Sequence, residues 1–461
     1  MTRAGLYHWL VPRVIAPIAA RCGLPVWTTE RRLGELQWRS PEELEERALS
    51  MLRPLLAHAA HHVPHYHERL AGVEARDIKA TADLARVPIT TKAELRTGFP
   101  SRTTAENLPA SRRQPMMTSG STGLPFEFYW DRSVLPVLGG TDRFWLGWSG
   151  NAVWHTRIVI ASPAYFYERI KPPRRLHALA NRLVIGERTE DLPADQITTA
   201  RFRSLVEQVT PRGPYFIRSY PGALASLAAG LVKDGMPLAS YPRAVVTFAE
   251  TLTSGNAALL REVFRCPVVN YYSSWEVPQI AHSCPAAPDT LHVNSERVIL
   301  RVVRPDGTDA APGETGRVVV TDLANYVMPF INYSAGDLAV AGERCPCGRG
   351  MPTLARVEGR ETEMIRTPEG REVSSGALGP LLTFVIGIIP YVWEYQAVQT
   401  APGAVTLLVV PTAQFTPEFR LALARGLSEF LGPNMTITVE PVGAIPVEAS
   451  GKRLIIKQLS S

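Results

Sequence analysis

Long apolar runs are missing from this chain of 461 residues. No stretch of about 18 or more apolar residues occurs, so no membrane-spanning helix is expected. Cysteine is scarce and odd in number: five residues, which argues against a secreted disulfide framework. Charge of one sign hardly accumulates either. A formal net charge of +6 is small for this length, and no basic stripe interleaves with aromatics. Nucleic acid is therefore not an expected partner, whereas small anions are. No internal repeat and no low-complexity tract is found. The opening stretch, MTRAGLYHWLVPRVIAPIAARCGLP, is apolar but broken by His8, Pro12, Arg13 and Pro17. It forms no clean signal-peptide core. An amphipathic segment resting on a membrane and a segment packed on the main body are both open, and the second is preferred. The expected location is the cytoplasm; a homodimer is compatible with the sequence.

What is present suffices for a large core. Apolar residues make up 45% of the chain and charged residues 20%, an ordinary balance that needs no staples. Ser40-Pro41-Glu42-Glu43 reads as a helix start, followed at helical spacing by Leu44, Ala48, Met51, Leu52 and Leu55. Half of the histidines cluster just beyond, at His58, His61, His62, His65 and His67. No cysteine or acidic pair completes a familiar ligand spacing there, and a structural role is preferred. From 126 to about 340, β-branched stretches such as Arg157–Ile160, Ala244–Phe248 and Pro267–Asn270 alternate with helical ones at 222–234 and 254–264. That alternation predicts an α/β fold. Arg297–Val303 and Gly316–Thr321, joined by Pro305-Asp306-Gly307, read as antiparallel strands. After about residue 358 a β-β-α-β run follows. Its helix is capped by Thr416, has Pro417 at its first position and is stopped by Gly432-Pro433.

Five segments carry chemistry. In Met117-Thr118-Ser119-Gly120-Ser121-Thr122-Gly123-Leu124-Pro125, two glycines let the backbone approach an anion and three hydroxyls can donate to phosphate oxygens. The Walker spacing and its lysine are absent, and a strand follows where a Walker loop opens a helix. A plain Ser/Thr turn is the competing reading. In Asn270-Tyr271-Tyr272-Ser273-Ser274-Trp275-Glu276 a strand delivers a carboxylate, a natural Mg²⁺ ligand beside a triphosphate. In Tyr333-Ser334-Ala335-Gly336-Asp337, an Asp after a tight turn can accept both hydroxyls of a ribose. Arg356-Val357-Glu358-Gly359-Arg360 is the fourth. The fifth, Pro446–Arg453, sets Lys452 on a Gly-containing loop, where a solvated tail is the ordinary reading. Separately, Cys284, His292, Cys345 and Cys347 supply three thiolates and one imidazole, a set that fits closed tetrahedral Zn²⁺. Scattered reduced thiols are the alternative.

Taken together, these segments resemble the signatures of the adenylate-forming (ANL) superfamily of acyl-CoA synthetases and adenylation domains. They are most similar to the phenylacetate-CoA ligase-like branch, including CapK-type proteins, and the resemblance covers nearly the whole chain. It implies a large N-terminal domain over 1–358, made of α/β sheets plus a small β-barrel-like part. A small mobile α+β domain over 359–461 would carry Lys452. It implies ATP phosphates held by Thr118, Ser119, Gly120, Ser121, Thr122 and Gly123, and an adenine site lined by Ala249, Glu250, Tyr272 and Ser273. Asp337 would take the ribose, Arg360 the nucleotide, and Glu276 Mg²⁺. Lys452 would bridge the attacking carboxylate and the α-phosphate, stabilising charge as it builds. The acid would lie among Tyr129, Phe144, Ser219 and Tyr220, whose aromatic surroundings suit a flat aromatic acid. Some members of the branch carry a similar Cys/His set with structural zinc. The chain departs from the pattern at Leu124, which replaces the loop lysine. Ser273 and Trp275 replace a glycine and a phosphate-contacting threonine, and Thr362 replaces the hinge aspartate. The implied reaction makes an acyl-adenylate and pyrophosphate, then transfers the acyl group to the thiol of CoA. Transfer to an amine, or a nucleotide-binding protein with impaired catalysis, are the alternatives.

Overall fold

The computed structural model describes residues 10–21, 25–118, 126–150, 155–161, 188–235, 237–361, 363–375, 378, 381–388, 390–446 and 454–458. The chain forms two compact units, each made of two separate stretches. One comprises Met1–Gly150 with Tyr271–Arg356, the other Asn151–Asn270 with Val357–Ser461.

In the first unit the helix Pro41–His62 begins as the sequence predicts. Ser40 accepts from the Glu43 amide at 3.2 Å, and Glu43 accepts from the Ser40 amide at 2.9 Å, a reciprocal cap. Leu52, Leu55, Leu56 and Ala59 are buried on its inner face. They join Val63, Tyr66, Ile299, Leu323 and Ile331 in one apolar cluster. Val63 turns extended, and the chain resumes as Pro64–Arg69. Pro64 has no N–H to continue the first helix, but it fits the first turn of the next. Arg113–Thr118 and Phe126–Asp131 pair antiparallel, with Thr118 opposite Phe126, so they flank the Ser/Gly loop. Val298–Val303 pairs antiparallel with Thr315–Asp322. The latter is flanked by Tyr333–Ser334 and by Asp337–Ala341. Thr90–Thr91 lies parallel to Tyr333–Ser334. Ala281–Ser283 and Leu291–Val293 form a short antiparallel ribbon.

The second unit is built on a parallel sheet. Arg188–Pro193, Thr156–Ala161, Tyr215–Ser219 and Val245–Phe248 lie side by side in that order. The strand Val268–Tyr272 continues it and carries the chain from one unit to the other. Helices Thr199–Val209, Pro221–Lys233 and Ser254–Phe264 make the crossovers that parallel strands require. All six residues of Thr156–Ala161 are buried, which is why that stretch reads as a continuous rather than alternating pattern. Near the C-terminus a separate four-stranded sheet has the order Thr436–Pro441, Ala404–Pro411, Val392–Ala401, Ile456–Gln458. Helix Pro417–Leu431 packs Leu423, Leu427 and Leu431 into the core of this sheet. Among the described residues no helix is long and apolar enough to cross a membrane.

Candidate active site and candidate metal centre

In the first unit the polar loop after Val268–Tyr272 is fixed from several sides. The Tyr272 hydroxyl donates to Asp337 Oδ2 at 2.8 Å. Asp337 follows Gly336, which takes the left-handed conformation (φ 84°) that opens the turn. Tyr333 donates to Glu276 Oε1 at 3.2 Å. The Trp130 indole N–H donates to the Trp275 carbonyl at 2.8 Å, hooking strand Phe126–Asp131 to the loop. Ser273 Oγ accepts from the Gln279 amide at 3.2 Å. Tyr272, Glu276 and Asp337, named from separate motifs, are all buried and tied by two hydrogen bonds, Tyr272 to Asp337 and Tyr333 to Glu276.

Sequence reading missed one member of this group. Lys92 Nζ lies 2.9 Å from Glu276 Oε1 and donates to Thr118 Oγ1 at 3.3 Å. Thr118 is the residue that opens the Ser/Gly loop. The signal was there: Lys92 is the first residue of helix Lys92–Gly98, where the helix dipole favours acids. A cation at that end needs an outside partner, and Glu276 is that partner. Chemically, the pair sets a carboxylate that can hold Mg²⁺ beside an ammonium that can meet an anion. Ser119, Gly120, Ser121, Thr122, Gly123 and Leu124 lie outside the described residues.

Tyr129 packs its ring against Phe99, with centroids 4.9 Å apart. Its carbonyl accepts from Asn325 at 2.9 Å. Phe144 sits on helix Leu135–Trp148 and packs against Trp145 and Trp148.

In the second unit Ala249 takes a left-handed conformation (φ 65°) just past strand Val245–Phe248. That turn aims Glu250, whose Oε2 accepts from the Gly222 amide at the start of helix Pro221–Lys233 at 2.9 Å. Ser219 and Tyr220 are buried; the Tyr220 ring lies 5.1 Å from that of Phe248. Glu358 is buried and accepts from Ser374 Oγ at 2.6 Å, and Arg360 ends strand Thr353–Arg360. Gly359 is left-handed (φ 115°) beside Ser375, leaving no room for a β-carbon. Thr362 and Lys452 lie outside the described residues.

The four metal-ligand candidates do meet. The donor atoms of Cys284, His292, Cys345 and Cys347 all lie within 4.8 Å of one another. Cys284 and Cys345 sulfurs are 3.7 Å apart, and Cys347 Sγ is 3.3 Å from His292 Nε2. Tetrahedral bonds of about 2.3 Å would set sulfurs about 3.8 Å apart, so the donor set fits a tetrahedral Zn²⁺. His292 Nδ1 faces the Met351 carbonyl at 3.4 Å, the outer contact that leaves Nε2 for a metal. Burial holds the His292 imidazole down at about 4, so it is neutral as a ligand must be. Burial pushes the Cys345 thiol up to about 12. At Cys347 burial acts the same way, but hydrogen bonds from Arg349 outweigh it and hold the thiol below its ordinary value. Arg349 is itself gripped, 4.6 Å over the Trp38 ring and 4.5 Å over that of Trp148, with Nε donating to Gln37 at 2.7 Å. The five-histidine cluster forms no such centre. His58 Nε2 pairs with the Tyr326 carbonyl and His61 Nδ1 with that of Ala57.

No family model matches the chain. Among curated relatives, the phenylacetate-coenzyme A ligase of Thermus thermophilus is 24% identical over 451 residues, covering 91% of this chain and 97% of the relative. That of Escherichia coli is 26% identical over 352 residues, covering 73% and 76%. Over most of its length the chain is thus similar to phenylacetate-CoA ligases. Solved structures agree with this on fold. A 2-hydroxyisobutyryl-CoA ligase in the postadenylation state superposes with a TM-score of 0.75 at 18% identity, covering 92% of this chain and 91% of that one. An anthranilate CoA ligase with anthranoyl-AMP superposes with 0.53 at 15% identity, covering 74% and 65%. The mixed α/β architecture of this chain is that of these ligase structures.

Proposed function

We propose that the protein activates a carboxylic acid with ATP, releasing pyrophosphate, and passes the acyl group from AMP to the thiol of CoA. The observations that carry this reading are the Tyr272–Asp337 hydrogen bond of 2.8 Å and the Glu276 carboxylate held by Tyr333 at 3.2 Å and Lys92 at 2.9 Å. A ribose acceptor, a metal-holding carboxylate and a cation then stand in one unit of the chain, the groups that a bound ATP needs. Relatives that cover most of their own length, and are ligases of an acid to CoA, support the same reaction.

In this reading the acid's carboxylate attacks the α-phosphate. Tyr272 and Asp337 fix the nucleoside, so the two anions are held at reacting distance. Glu276 would hold Mg²⁺, which would offset the charge of the triphosphate. Lys452, on the 359–461 part that acts as the mobile domain, neutralises the attacking carboxylate and the α-phosphate as charge builds. Ala249, Glu250 and Ser273 line the adenine, Arg360 contacts the nucleotide, and the loop from Thr118 to Gly123 holds the outer phosphates. The acid is aromatic, bounded by Tyr129, Phe144, Ser219 and Tyr220. Cys284, His292, Cys345 and Cys347 would hold Zn²⁺ in a structural role. The thiol then attacks the acyl carbonyl of the adenylate, losing its proton, and AMP leaves as the thioester C–S bond replaces the C–O bond to phosphate; water must be kept from the adenylate until then.

Pyrophosphate release across a panel of aryl and alkyl acids, with and without CoA and with products weighed by mass spectrometry, tests this. A thioester is expected. An adenylate without thioester would replace CoA by another acceptor such as an amine. No turnover with any acid would remove the enzymatic reading.

A further inference from the structure

We propose that Lys92 binds the outer phosphates of ATP and the pyrophosphate that leaves. The inference rests on the ligase reading above and deepens it.

A leaving pyrophosphate needs a cation, and the Ser/Gly loop brings none. From Gln114 to Asp131 the chain has no lysine, arginine or histidine, while Glu127 and Asp131 are acidic. Lys92 reaches the base of that loop from another part of the first unit. Thr91 Oγ1 accepts from the Glu94 amide at 3.3 Å, and Glu94 accepts from the Thr91 amide at 2.7 Å, so the helix start is fixed. Pairing of Thr90–Thr91 with Tyr333–Ser334 fixes where it stands. Lys92 Nζ then lies 3.3 Å from Thr118 Oγ1 and 5.3 Å from the centroid of the Phe126 ring. Those two residues face each other across the paired strands that lead into and out of the loop.

An ammonium carries three N–H donors. Glu276 Oε1, at 2.9 Å, and Thr118 Oγ1 take two, and no described residue takes the third. The Phe126 ring adds only its π-face. The Lys92 side chain is 25% exposed against 4% for that of Glu276, so an anion can reach the ammonium. A phosphate oxygen is the acceptor that suits such a donor. It is charged, so the hydrogen bond is short and strong, and a lysine meets it as a point charge.

In the reaction proposed above, a carboxylate oxygen of the acid bonds to the α-phosphorus. The bond from that phosphorus to the bridging oxygen breaks, and its electron pair leaves with pyrophosphate. Lys92 meets the charge that gathers there and stays protonated throughout, so no proton moves through it. It also offsets the repulsion that Glu276 exerts on the same anion. AMP has no outer phosphate. Lys92 is therefore a determinant of ATP and pyrophosphate binding and not of AMP binding.

The test is equilibrium binding of ATP, AMP and inorganic pyrophosphate, each with Mg²⁺ and no acid, to wild type and variants. Lys92→Met is expected to weaken pyrophosphate and ATP about 10- to 100-fold, and AMP by less than about threefold. Lys92→Arg keeps the cation and is expected to recover most of the pyrophosphate affinity. In metal-free buffer, Glu276→Gln is expected to bind pyrophosphate at least as tightly as wild type, and Lys92→Met added to it to lose that affinity. Thermal unfolding checks that each variant folds. The doubly substituted chain leaves neither charge of the pair behind, so it decides should Lys92→Met alone not fold. Pyrophosphate affinity that survives loss of the Lys92 cation, or AMP weakened as much as ATP, overturns the inference alone. Wild type that binds none of the three overturns the ligase reading and this inference with it.

Discussion

The Lys92 ammonium stands 2.9 Å from the Glu276 carboxylate, which is 4% exposed at its side chain. A buried carboxylate needs a compensating charge, and Lys92 provides it. The same carboxylate is the proposed Mg²⁺ ligand. If Glu276 holds Mg²⁺ as proposed, Lys92 and the metal compete for one carboxylate.

Lys92→Met is expected to destabilise the fold by about 1–3 kcal/mol, because Glu276 stays buried with its cationic partner gone. Lys92→Arg should recover most of that. Since Mg²⁺ can replace the lost charge, addition of Mg²⁺ should raise the unfolding temperature more in Lys92→Met than in wild type. Equal shifts in the two proteins would separate Glu276 from the metal.

Zinc content gives an independent check. Cys345→Ser or Cys347→Ser should reduce bound zinc from one per chain to a small fraction, measured by elemental analysis of gently purified protein. Arg349 lies between Trp38 and Trp148 and hydrogen-bonds at Cys347. Loss of the metal should therefore also shift tryptophan emission, and Arg349→Ala should produce that shift with zinc retained. Zinc-free wild-type protein with unchanged emission would remove the centre.

Much of the fold was legible because local signals agreed with one another. The Ser40 and Thr416 caps, the β-branched runs at Thr156–Ala161 and Val245–Phe248, and the helix Pro417–Leu431 all stand where their residues predict. The site was legible only where a motif named it. Glu276 and Asp337 stood in recognisable segments, and their convergence through Tyr272 and Tyr333 follows. Lys92 did not stand out. Lys92 is distant in sequence from Glu276, and only pairing of Thr90–Thr91 with Tyr333–Ser334 brings it near. The two-unit division was also hidden, since each unit takes chain from two separate stretches.

Acid should weaken the fold through His58 and His65. Burial disfavours the imidazolium of both, so their folded pKa values lie below the ordinary 6.5. Above pH 6.5 neither folded nor unfolded chain is protonated there, and the two contribute no slope. As pH falls below 6.5 the unfolded chain takes up protons that the folded one resists, so stability drops. The loss stops growing once pH passes below the folded values. Urea midpoints between pH 7 and pH 5 should therefore decline less steeply in His58→Gln and in His65→Gln than in wild type. Parallel declines would assign the pH dependence to other groups.

Lys452 carries the sharpest kinetic expectation. If its ammonium meets the attacking carboxylate and the α-phosphate only as charge accumulates, Lys452→Ala loses transition-state binding and little ground-state binding. The adenylation rate should fall by about 10²–10³-fold, with the KM for ATP changed by less than about threefold. Transfer from a supplied acyl-adenylate to CoA should be far less affected, because that step makes no bond to the α-phosphate. A variant that loses ATP affinity in proportion to rate would instead make Lys452 a nucleotide-binding residue. One that keeps both would move the catalytic cation elsewhere, and Lys92, already beside Glu276 and Thr118, is where to look next.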